Sequence, residues 1–271
     1  MQQKPHPIGK EGPKALSELQ KAHFERMHDA YAAHYYDASS LQYRREFILK
    51  PLLALAGSEF GACRLVEVAS GSGYNSLILE ECFPGISLTG IDISPSACAD
   101  YRALTGQPAY EIDMTKPLVA QLGQPFDVAM VIGGLHHCLA DLSGTLRNLA
   151  KLVRPGGLLL MMEPNRRYVL EGVRRLWYRF DRSFDAANEG ALDHDEIAGR
   201  GMPWFEVVDV RYGGGPAFFL IQNSMITRVP LSWKPGLVRV LFPLERLSVR
   251  IPFRFVHAFF VAVWRRLDTP G

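Results

Sequence analysis

Short apolar runs alternate with helical segments through the middle of this chain. The apolar runs are rich in Val, Ile, Leu and Met, end at turn residues, and cover 64–69, 86–91, 108–112, 126–132 and 157–162. The helical segments between them cover 74–82, 95–105 and 141–153. Adjacent parallel strands are joined by a crossover that is usually a helix, and strands buried on both faces are continuously apolar. The alternation therefore predicts an α/β fold in which helices cover both faces of a parallel sheet.

The segments before and after this alternation are predicted to be mainly helical. Residues 1–20 are polar and contain Pro and Gly, which is typical of a loose terminal tail. Residues 21–56 predict one or two helices, and further helices are expected at 165–182 and 192–200. The alternating core is thus framed by a helical cap on its N-terminal side and by helices that follow its fifth strand.

The C-terminal part of the chain contains two more candidate strands. Residues 204–210 predict one of them, while "FVHAFFVAVW" at 255–264 fits either a short buried helix or a strand. The β-branched and aromatic residues in the second stretch favour a strand. We expect it to pair antiparallel with 204–210, and residues 213–250 then form a helical insertion over the end of the sheet.

Composition and charge exclude several classes of protein. The chain has 271 residues, of which 48% are hydrophobic and 21% are charged, and this suits one large domain with embellishments. The formal net charge of +2 gives no general signal for nucleic-acid binding. Residues 226–271 nevertheless carry eight basic and two acidic side chains. This basic and apolar C-terminal region fits a contact with anionic lipid or with a phosphate-bearing substrate.

The cysteines and the N-terminal residues indicate a cytoplasmic protein. The four cysteines are Cys63, Cys82, Cys98 and Cys138, and they show neither a CxxC pair nor a metal-binding spacing. They are interpreted as small buried side chains in a reducing compartment. The N-terminal residues lack the apolar core of a secretion signal. No uninterrupted apolar run reaches the roughly 18 residues of a membrane span.

A glycine-containing turn, "VASGSG" at 68–73, joins the first strand to the first helix of the alternation. Such a turn is a general arrangement for binding a nucleotide, and two glycines alone are weak evidence for it. A dinucleotide fingerprint requires a third Gly or Ala, and that position is Ser76. Glu67, which precedes the turn, would repel a pyrophosphate but would attract a cationic amine.

Acidic residues end three successive strands of the predicted sheet. Asp92 follows the second strand and can accept hydrogen bonds from both hydroxyls of a ribose, and Asp113 follows the third. Asp113 can accept from the exocyclic amine of an adenine while Met114 packs on the ring. Together with Glu67, and without an arginine to meet a phosphate, these acids predict a pocket for a phosphate-free, cationic adenosine. S-adenosylmethionine has this chemistry.

The chain resembles the class I S-adenosylmethionine-dependent methyltransferases, most closely those that act on small molecules. The resemblance rests on "LVEVASGSG", "LTGIDIS", "YEIDM", "FDVAMVIGGLHHC" and "LAKLVRPGGLLLMMEP". It is close over residues 60–165 and looser through 211. It implies a Rossmann-like, doubly wound α/β sheet of seven strands, mostly parallel, with the last strand antiparallel. The expected division is a tail and cap over 1–56, a core over 57–212 and 251–267, and the insertion over 213–250.

The resemblance also implies which residues bind the cofactor. The family places an Asp and a Gly where this chain has Glu67 and Ala69, whereas Gly71 and Gly73 match. Ala69 leaves slightly less room near the amino-acid part of the cofactor. Residues of the cap often close over the cofactor in this family. The predicted cofactor-binding residues are Tyr36, Arg45, Glu67, Ala69, Gly71, Gly73, Asp92, Ile93, Asp113, Met114, Ile132 and Gly133.

The candidate catalytic residues are His136, His137 and Glu163. The two histidines follow the fourth strand, and the glutamate ends the fifth, so all three fall at the edge of the sheet where such folds bind ligands. A histidine oriented by a carboxylate can remove a proton at neutral pH. Adjacent histidines point in different directions, so one of them is expected to be the base and the other a supporting residue. No metal is expected.

These residues and the resemblance predict an O-methyltransferase of the kind that modifies sugars and natural products. The expected acceptor is a hydroxyl of a small, bulky or partly apolar molecule, such as a glycoside, an aromatic or a lipid-linked sugar. The product of the cofactor would be S-adenosylhomocysteine. N- or C-methylation of a small molecule is the alternative, and so is an accessory protein that binds the cofactor without turnover.

Two regions are expected to select the acceptor and other partners. The arginine-rich helices over 165–200 fit either a solvated face or a lid for an anionic substrate. The apolar insertion fits packing of a cap, an interface in a homodimer, or a peripheral contact with a membrane. Cap packing is the default among these three.

Overall fold

A computed structural model of the chain describes residues 18, 21–22, 33–57, 63–118, 122–172 and 190–268. Its centre is a seven-stranded sheet in the order β3-β2-β1-β4-β5-β7-β6. All neighbouring strands pair in parallel except β7, which is antiparallel to both β5 and β6. The strands are β1 (Arg64–Val68), β2 (Ser87–Asp92), β3 (Ala109–Glu111), β4 (Phe126–Ile132), β5 (Val153–Pro164), β6 (Phe205–Gly213) and β7 (Phe259–Arg266). The predicted fold class is confirmed.

The pairing of β7 settles the ambiguous C-terminal stretch. Its register places Val263 opposite Leu160 of β5 and opposite Asp209 of β6. Every residue over Phe259–Trp264 is buried. A strand between two others contacts both helical layers, which explains why β7 is apolar at successive positions instead of alternating. The predicted antiparallel strand is confirmed.

Helices cover both faces of the sheet in the described part of the chain. On entering the fold, the chain forms α1 (Ala38–Tyr43), a π-helical turn (Arg44–Leu49) and α2 (Lys50–Ala56). Helices α3 (Tyr74–Cys82), α4 (Pro95–Thr105) and α5 (Leu142–Leu152) are the crossovers that the apolar alternation predicts, and α6 (His194–Gly201) precedes β6. Asp141 caps α5, because its Oδ1 accepts a hydrogen bond from the Gly144 N–H at 2.9 Å.

The predicted insertion is helical, and one of its helices has a buried face. It contains a π-helical turn (Phe218–Gln222), α7 (Ser224–Thr227) and α8 (Lys234–Ser248). Lys234 on α8 is fully buried and donates hydrogen bonds to the carboxylate of Asp37, the carbonyl of His34 and the hydroxyl of Ser40. The insertion is therefore fixed to the N-terminal cap by a buried cation whose three partners all lie in the cap.

Some sequence-based predictions differ from the structure. Strand β5 begins at Val153, four residues before the apolar run at 157–162 from which it was predicted. Residues 165–170 form turns instead of helix, because the Asn165 amide nitrogen donates to the carbonyls of Arg254 and His257. Cys82 is exposed, unlike the expected buried cysteine. The terminal tail over 1–17 and most of the arginine-rich stretch, 173–189, lie outside the described residues.

Within the described residues, no helix has the length and apolar character needed to cross a membrane.

Candidate cofactor and active site

A cavity opens at the carboxyl ends of strands β1 to β4, where a doubly wound sheet binds its ligands. Most of the predicted cofactor-binding residues line it. The predicted residues in its wall are Tyr36, Ala69, Gly71, Asp92, Ile93, Asp113, Met114, Ile132, Gly133 and His137. Three other predicted cofactor residues, Glu67, Gly73 and Arg45, are not in its wall.

The turn after β1 has a backbone conformation that favours glycine. Gly71 has a φ of +52°, and a Cβ atom there would lie 2.8 Å from the hydroxyl of Tyr36. Its N–H donates to Asp92 Oδ2 at 2.8 Å, so the loop after β1 is bonded to the end of β2. The turn thus lies close to both the cap and the sheet, and the absence of a side chain at Gly71 allows a ligand to approach its backbone.

Ala69 also has a left-handed backbone, with a φ of +54°. This conformation costs a non-glycine residue about 1–2 kcal/mol. The neighbour that accommodates its methyl group is Gly134, since a Cβ atom added there would lie 2.6 Å from the Ala69 Cβ. Gly134, in the adjacent loop after β4, therefore leaves the space that the Ala69 methyl group needs.

Gly73 supports the packing of two helices instead of lining the cavity. It caps α3 with a φ of +87°, and an added Cβ would lie 2.7 Å from Cδ2 of Tyr101 on α4. Gly73 is not in the cavity wall, so its predicted place beside the cofactor stays a prediction. A glycine in a nucleotide-type turn can serve either the ligand or the helix behind it, and its spacing alone does not distinguish the two.

Asp92 and Asp113 both reach the cavity, and each is oriented by nearby donors. Asp92 accepts the Gly71 N–H through Oδ2 and the Ser94 N–H through Oδ1 at 2.9 Å. Asp113 Oδ1 accepts from the backbone N–H and the hydroxyl of Thr115, and its Oδ2 lies 3.0 Å from Lys116 Nζ. Both carboxylates are thereby held at the ends of β2 and β3 in the orientation that the backbone sets.

Glu67 lies behind the cavity and is fully buried. Its Oε1 accepts from the Asn75 amide at 2.8 Å, and its Oε2 accepts from the Ser76 hydroxyl at 2.6 Å. Burial raises the pKa of this carboxyl group to about 7, and the two side-chain hydrogen bonds oppose the rise. Both oxygens of Glu67 are bonded to side chains of the helix that follows the turn, and Glu67 is not in the cavity wall, so its contact with the amine of the ligand stays a prediction.

Arg44 occupies the place that was predicted for Arg45. Arg44 is buried, lines the cavity, and donates from Nη1 to Asn75 Oδ1 at 3.1 Å. Arg45 points outward, where its guanidinium pairs with Glu81 at 2.5 Å and is half exposed. The structure therefore brings Arg44, and not the predicted Arg45, to the cavity wall. Arg44 starts a π-helical turn whose buried residues include Phe47 and Ile48, and the orientation of that turn decides which arginine faces inward.

His136 and Glu163 form a hydrogen-bonded pair at the ends of β4 and β5. His136 Nδ1 lies 2.8 Å from Glu163 Oε2. Glu163 is fully buried and also accepts three backbone N–H groups, from Gly134, Leu135 and His136, at 3.0, 2.7 and 3.2 Å. Burial raises the pKa of Glu163 to about 8, although the three N–H donors lower it.

The two histidines have different surroundings. The ring centroids of His136 and His137 are 3.9 Å apart, and the planes are tilted by 39°. His137 is in the wall of the cavity, whereas His136 faces Glu163 and has 14% of its side chain exposed. The carboxylate therefore bonds the ring of His136, and the ring of His137 is the one that lines the cavity.

Several polar residues in the cavity wall were missed by sequence reasoning. They contribute hydroxyl, amide or guanidinium groups, and they are Arg44, Ser70, Ser72, Asn75, Ser94, Thr115 and Thr145. Ser70 and Ser72 lie inside the quoted turn and could have been found from their position between the glycines. Arg44 and Thr145 come from helices outside the motifs, and no local pattern marks them.

Comparison with known proteins gives a family for this arrangement. Residues 66–159 match a family described as a methyltransferase domain. Over these residues the chain is a methyltransferase domain, and the sheet around them has the Rossmann-like fold of the class I S-adenosylmethionine-dependent methyltransferases. S-adenosylmethionine is the cofactor of this class.

Curated relatives include methyltransferases of more than one type. A glycine N-methyltransferase of Rattus norvegicus is 30% identical over 47% of this chain and 50% of that protein. A ubiquinone biosynthesis O-methyltransferase of Caulobacter sp. is 31% identical over 40% of this chain and 43% of that protein. A PKS-NRPS hybrid synthetase of Chaetomium globosum is 27% identical over 69% of this chain and 4% of that protein. The chain spans half or less of the length of these relatives.

Solved structures share the fold at low sequence identity. An S-adenosylmethionine-dependent methyltransferase of Mesorhizobium loti has a TM-score of 0.56 and 19% identity, over 83% of this chain and all of that one. The N-methyltransferase NodS of Bradyrhizobium japonicum, solved with S-adenosyl-L-homocysteine, has a TM-score of 0.53 and 13% identity, over 89% and 98%. These similarities bear on the fold alone.

Proposed function

We propose that the protein transfers a methyl group from S-adenosylmethionine to a hydroxyl of a small, bulky or partly apolar acceptor, with His136 as the general base. The observation that carries this proposal is the His136–Glu163 pair next to the cofactor cavity. A carboxylate that fixes one ring nitrogen leaves the other in the correct tautomer to take a proton. Methylation of a hydroxyl needs such a base more than methylation of an amine does.

The cavity fits the cofactor by its shape and by its donor set. The bare backbone at Gly71 forms a cradle, because any side chain there would meet Tyr36. Asp92 would accept from the ribose hydroxyls, and Asp113 with Met114 would hold the adenine. Arg44 and Tyr36, which lie 5.3 Å apart from guanidinium carbon to ring centroid, would meet the carboxylate of the amino-acid part. The cofactor, when bound, supplies the activated methyl group.

Glu163 decides the tautomer of His136. When Glu163 is ionised it can only accept, so His136 Nδ1 carries the hydrogen and Nε2 has the lone pair that a base requires. When Glu163 is protonated it can donate to Nδ1, which places the ring hydrogen on Nε2. The pKa of Glu163 is raised to about 8 by burial. We therefore expect the rate of methyl transfer to rise as the pH increases through about 8.

N-methylation is the second candidate function, because a glycine N-methyltransferase is among the relatives of this chain. An amine acceptor can lose its proton to water before transfer, so an N-methyltransferase would depend little on His136. The dependence of turnover on this side chain therefore distinguishes the two candidates. A cofactor-binding accessory protein would bind S-adenosylmethionine and would methylate no acceptor.

The test uses isotope-labelled S-adenosylmethionine, the purified chain and an extract of small molecules from the source organism. The labelled product is isolated, and the atom that carries the label is identified. We expect an O-methylated product, and we expect His136→Asn to abolish labelling while calorimetry shows unchanged affinity for S-adenosylhomocysteine. His137→Asn tests the neighbouring ring in the same way.

Three outcomes would contradict this proposal. A labelled amine or carbon would replace the O-methyltransferase assignment. Full turnover in both histidine variants would remove the general base. Cofactor binding without any labelled product would favour the accessory protein.

The homodimer, the membrane contact and the division of the chain at 56, 212 and 250 remain predictions.

A further inference from the structure

One face of helix α8 is apolar and exposed, although the opposite face is buried. Lys234, Leu241, Phe242 and Glu245 form the buried face. The outward side chains, from just before the helix to just after it, are spaced by seven, four, three and four positions, which places them in one stripe. They are Trp233, Val240, Leu244, Leu247 and Ile251, with exposed fractions of 66, 63, 46, 60 and 41%.

A second group of exposed apolar residues lies beyond the end of α8. Phe253 and Phe255 are more than half exposed and stack on each other at 5.6 Å between ring centroids. Val169 and Leu170 are also exposed, and the Val169 N–H donates to the Phe255 carbonyl at 2.8 Å. The apolar stripe and this second group together are called the apolar surface below. Exposed apolar patches of this extent mark interaction sites.

The segment 231–256, which carries most of the apolar surface, has exposed charges of positive sign alone. Within 231–256 the exposed ionisable side chains are Arg239, Arg246, Arg250 and Arg254. The only acid in this segment, Glu245, is fully buried and accepts from the Tyr43 hydroxyl and two backbone N–H groups. Arg246 pairs with Glu46 and Arg254 with Asp195, whereas Arg239 and Arg250 have no ion pair within the described part of the chain.

We propose that this apolar surface, with its flanking arginines, docks on an anionic lipid bilayer. Lipid phosphates would neutralise the arginines, while the aromatic and aliphatic side chains would enter the boundary between headgroups and acyl chains. A second copy of this chain would bring the same positive charge to the interface, which opposes self-association through this face. A nucleic acid would match the arginines and leave the apolar residues without a partner.

The docked surface borders the end of the sheet that carries the candidate active site. Asn165, two residues after Glu163, donates from its amide to the carbonyls of Arg254 and His257 at 2.8 and 2.9 Å. The loop with the two phenylalanines is thus bonded to the chain that leaves β5. If the proposed function holds, this contact favours an acceptor that is itself amphiphilic. Docking is measurable without turnover and does not depend on that function.

Vesicle co-sedimentation tests the proposal. We expect the intact chain to bind phosphatidylglycerol vesicles, to bind phosphatidylcholine vesicles much less, and to lose binding at high salt. Leu247→Ser removes an apolar contact, and Arg250→Glu reverses a charge. Each juxtamembrane basic residue changes affinity about five-fold, so we expect R250E to weaken binding at least that much.

Matched controls separate docking from a general change of surface. Met202→Ser removes an apolar side chain with 69% exposure, and Lys151→Glu reverses an exposed charge, both away from α8. Both controls should bind vesicles like the unaltered chain, and all four variants should keep its melting temperature. Equal losses in variants and controls would overturn the proposal, as would no binding to phosphatidylglycerol. The proposal would also be overturned if sedimentation velocity showed a dimer that L247S dissociates and the chain did not bind vesicles.

Discussion

Two fully buried glutamates stand at the carboxyl edge of the sheet, and they have different partners. Glu67, near the end of β1, is bonded by two side chains from α3, Asn75 and Ser76. Glu163, at the end of β5, is bonded by three backbone N–H groups and by the ring of His136. Burial raises the pKa of both, to about 7 and about 8.

The difference shows how an acid can organise a site in two ways. Glu67 links the cofactor turn to the cap, because Asn75 also accepts a hydrogen bond from Arg44. Glu163 fixes a short loop of backbone and the orientation of one ring. Neither carboxylate lines the cavity, whereas Asp92 and Asp113 do. An acid at the end of a strand therefore lines the cavity only where its side chain is not taken up by a neighbouring helix or loop.

The largest expected effect comes from changing the acid beside His136. Glu163→Gln keeps the size of the side chain, but its amide would donate to His136 Nδ1 and impose the wrong tautomer. We expect the rate of methyl transfer to fall about 10²- to 10⁴-fold, the range for loss of a general base. Affinity for S-adenosylhomocysteine by calorimetry should stay within a few-fold. A rate near that of the unaltered enzyme would show that Glu163 is purely structural.

A substitution in the turn after β1 should lower the free energy of unfolding, because the turn packs closely on α4. In Gly73→Ala the new methyl group meets Tyr101 and the backbone keeps a positive φ, so we expect a loss of about 2–4 kcal/mol in the free energy of unfolding. Gly85→Ala is the matched control, because Gly85 has a φ of +95° and open space around it. Urea denaturation should give only about 1 kcal/mol for that variant. Equal losses would mean that backbone strain alone explains both.

Substitutions of two adjacent arginines test which of them contributes from the cap to cofactor binding. Arg44→Met removes a buried guanidinium from the cavity wall, and we expect affinity for S-adenosylhomocysteine to fall about ten- to hundred-fold. Arg45→Met removes a half-exposed ion pair with Glu81, so its effect should stay within about two-fold. Calorimetry on both variants decides the assignment. A larger loss for R45M would restore the residue that the sequence suggested.

The smallest effect concerns pH and the buried carboxyl group of Glu67. Its folded pKa of about 7 lies above its ordinary value of 4.5, so the folded state binds the proton more tightly than the unfolded state. This contribution to stability is complete below pH 4.5 and is lost as the pH rises through 7. Glu67→Gln should flatten the fall of the free energy of unfolding over this range. Glu206→Gln, on the exposed face of β6, should leave the fall unchanged.

The sequence by itself determined the sheet and the class of ligand. The apolar runs predict the strands closely because a strand buried on both faces is apolar at most of its positions, and this requirement is local. Asp92 and Asp113 were predicted at one site because each directly follows a strand and the carboxyl ends of parallel strands meet at one edge, and both line the cavity. A histidine at the end of β4 beside the acid at the end of β5 was predicted from the same geometry, and the structure shows that His136 is the one bonded to Glu163.

Only the tertiary structure decided which side chains face the cavity. Glu67, Gly73 and Arg45 were placed at the cofactor by their position in the chain, but α3, α4 and the π-helical turn of the cap determine where they point. The left-handed Ala69 is accommodated by Gly134, which is 65 residues away in sequence. Such relations depend on the rotation and contact of whole elements, and a spacing rule contains no information about either.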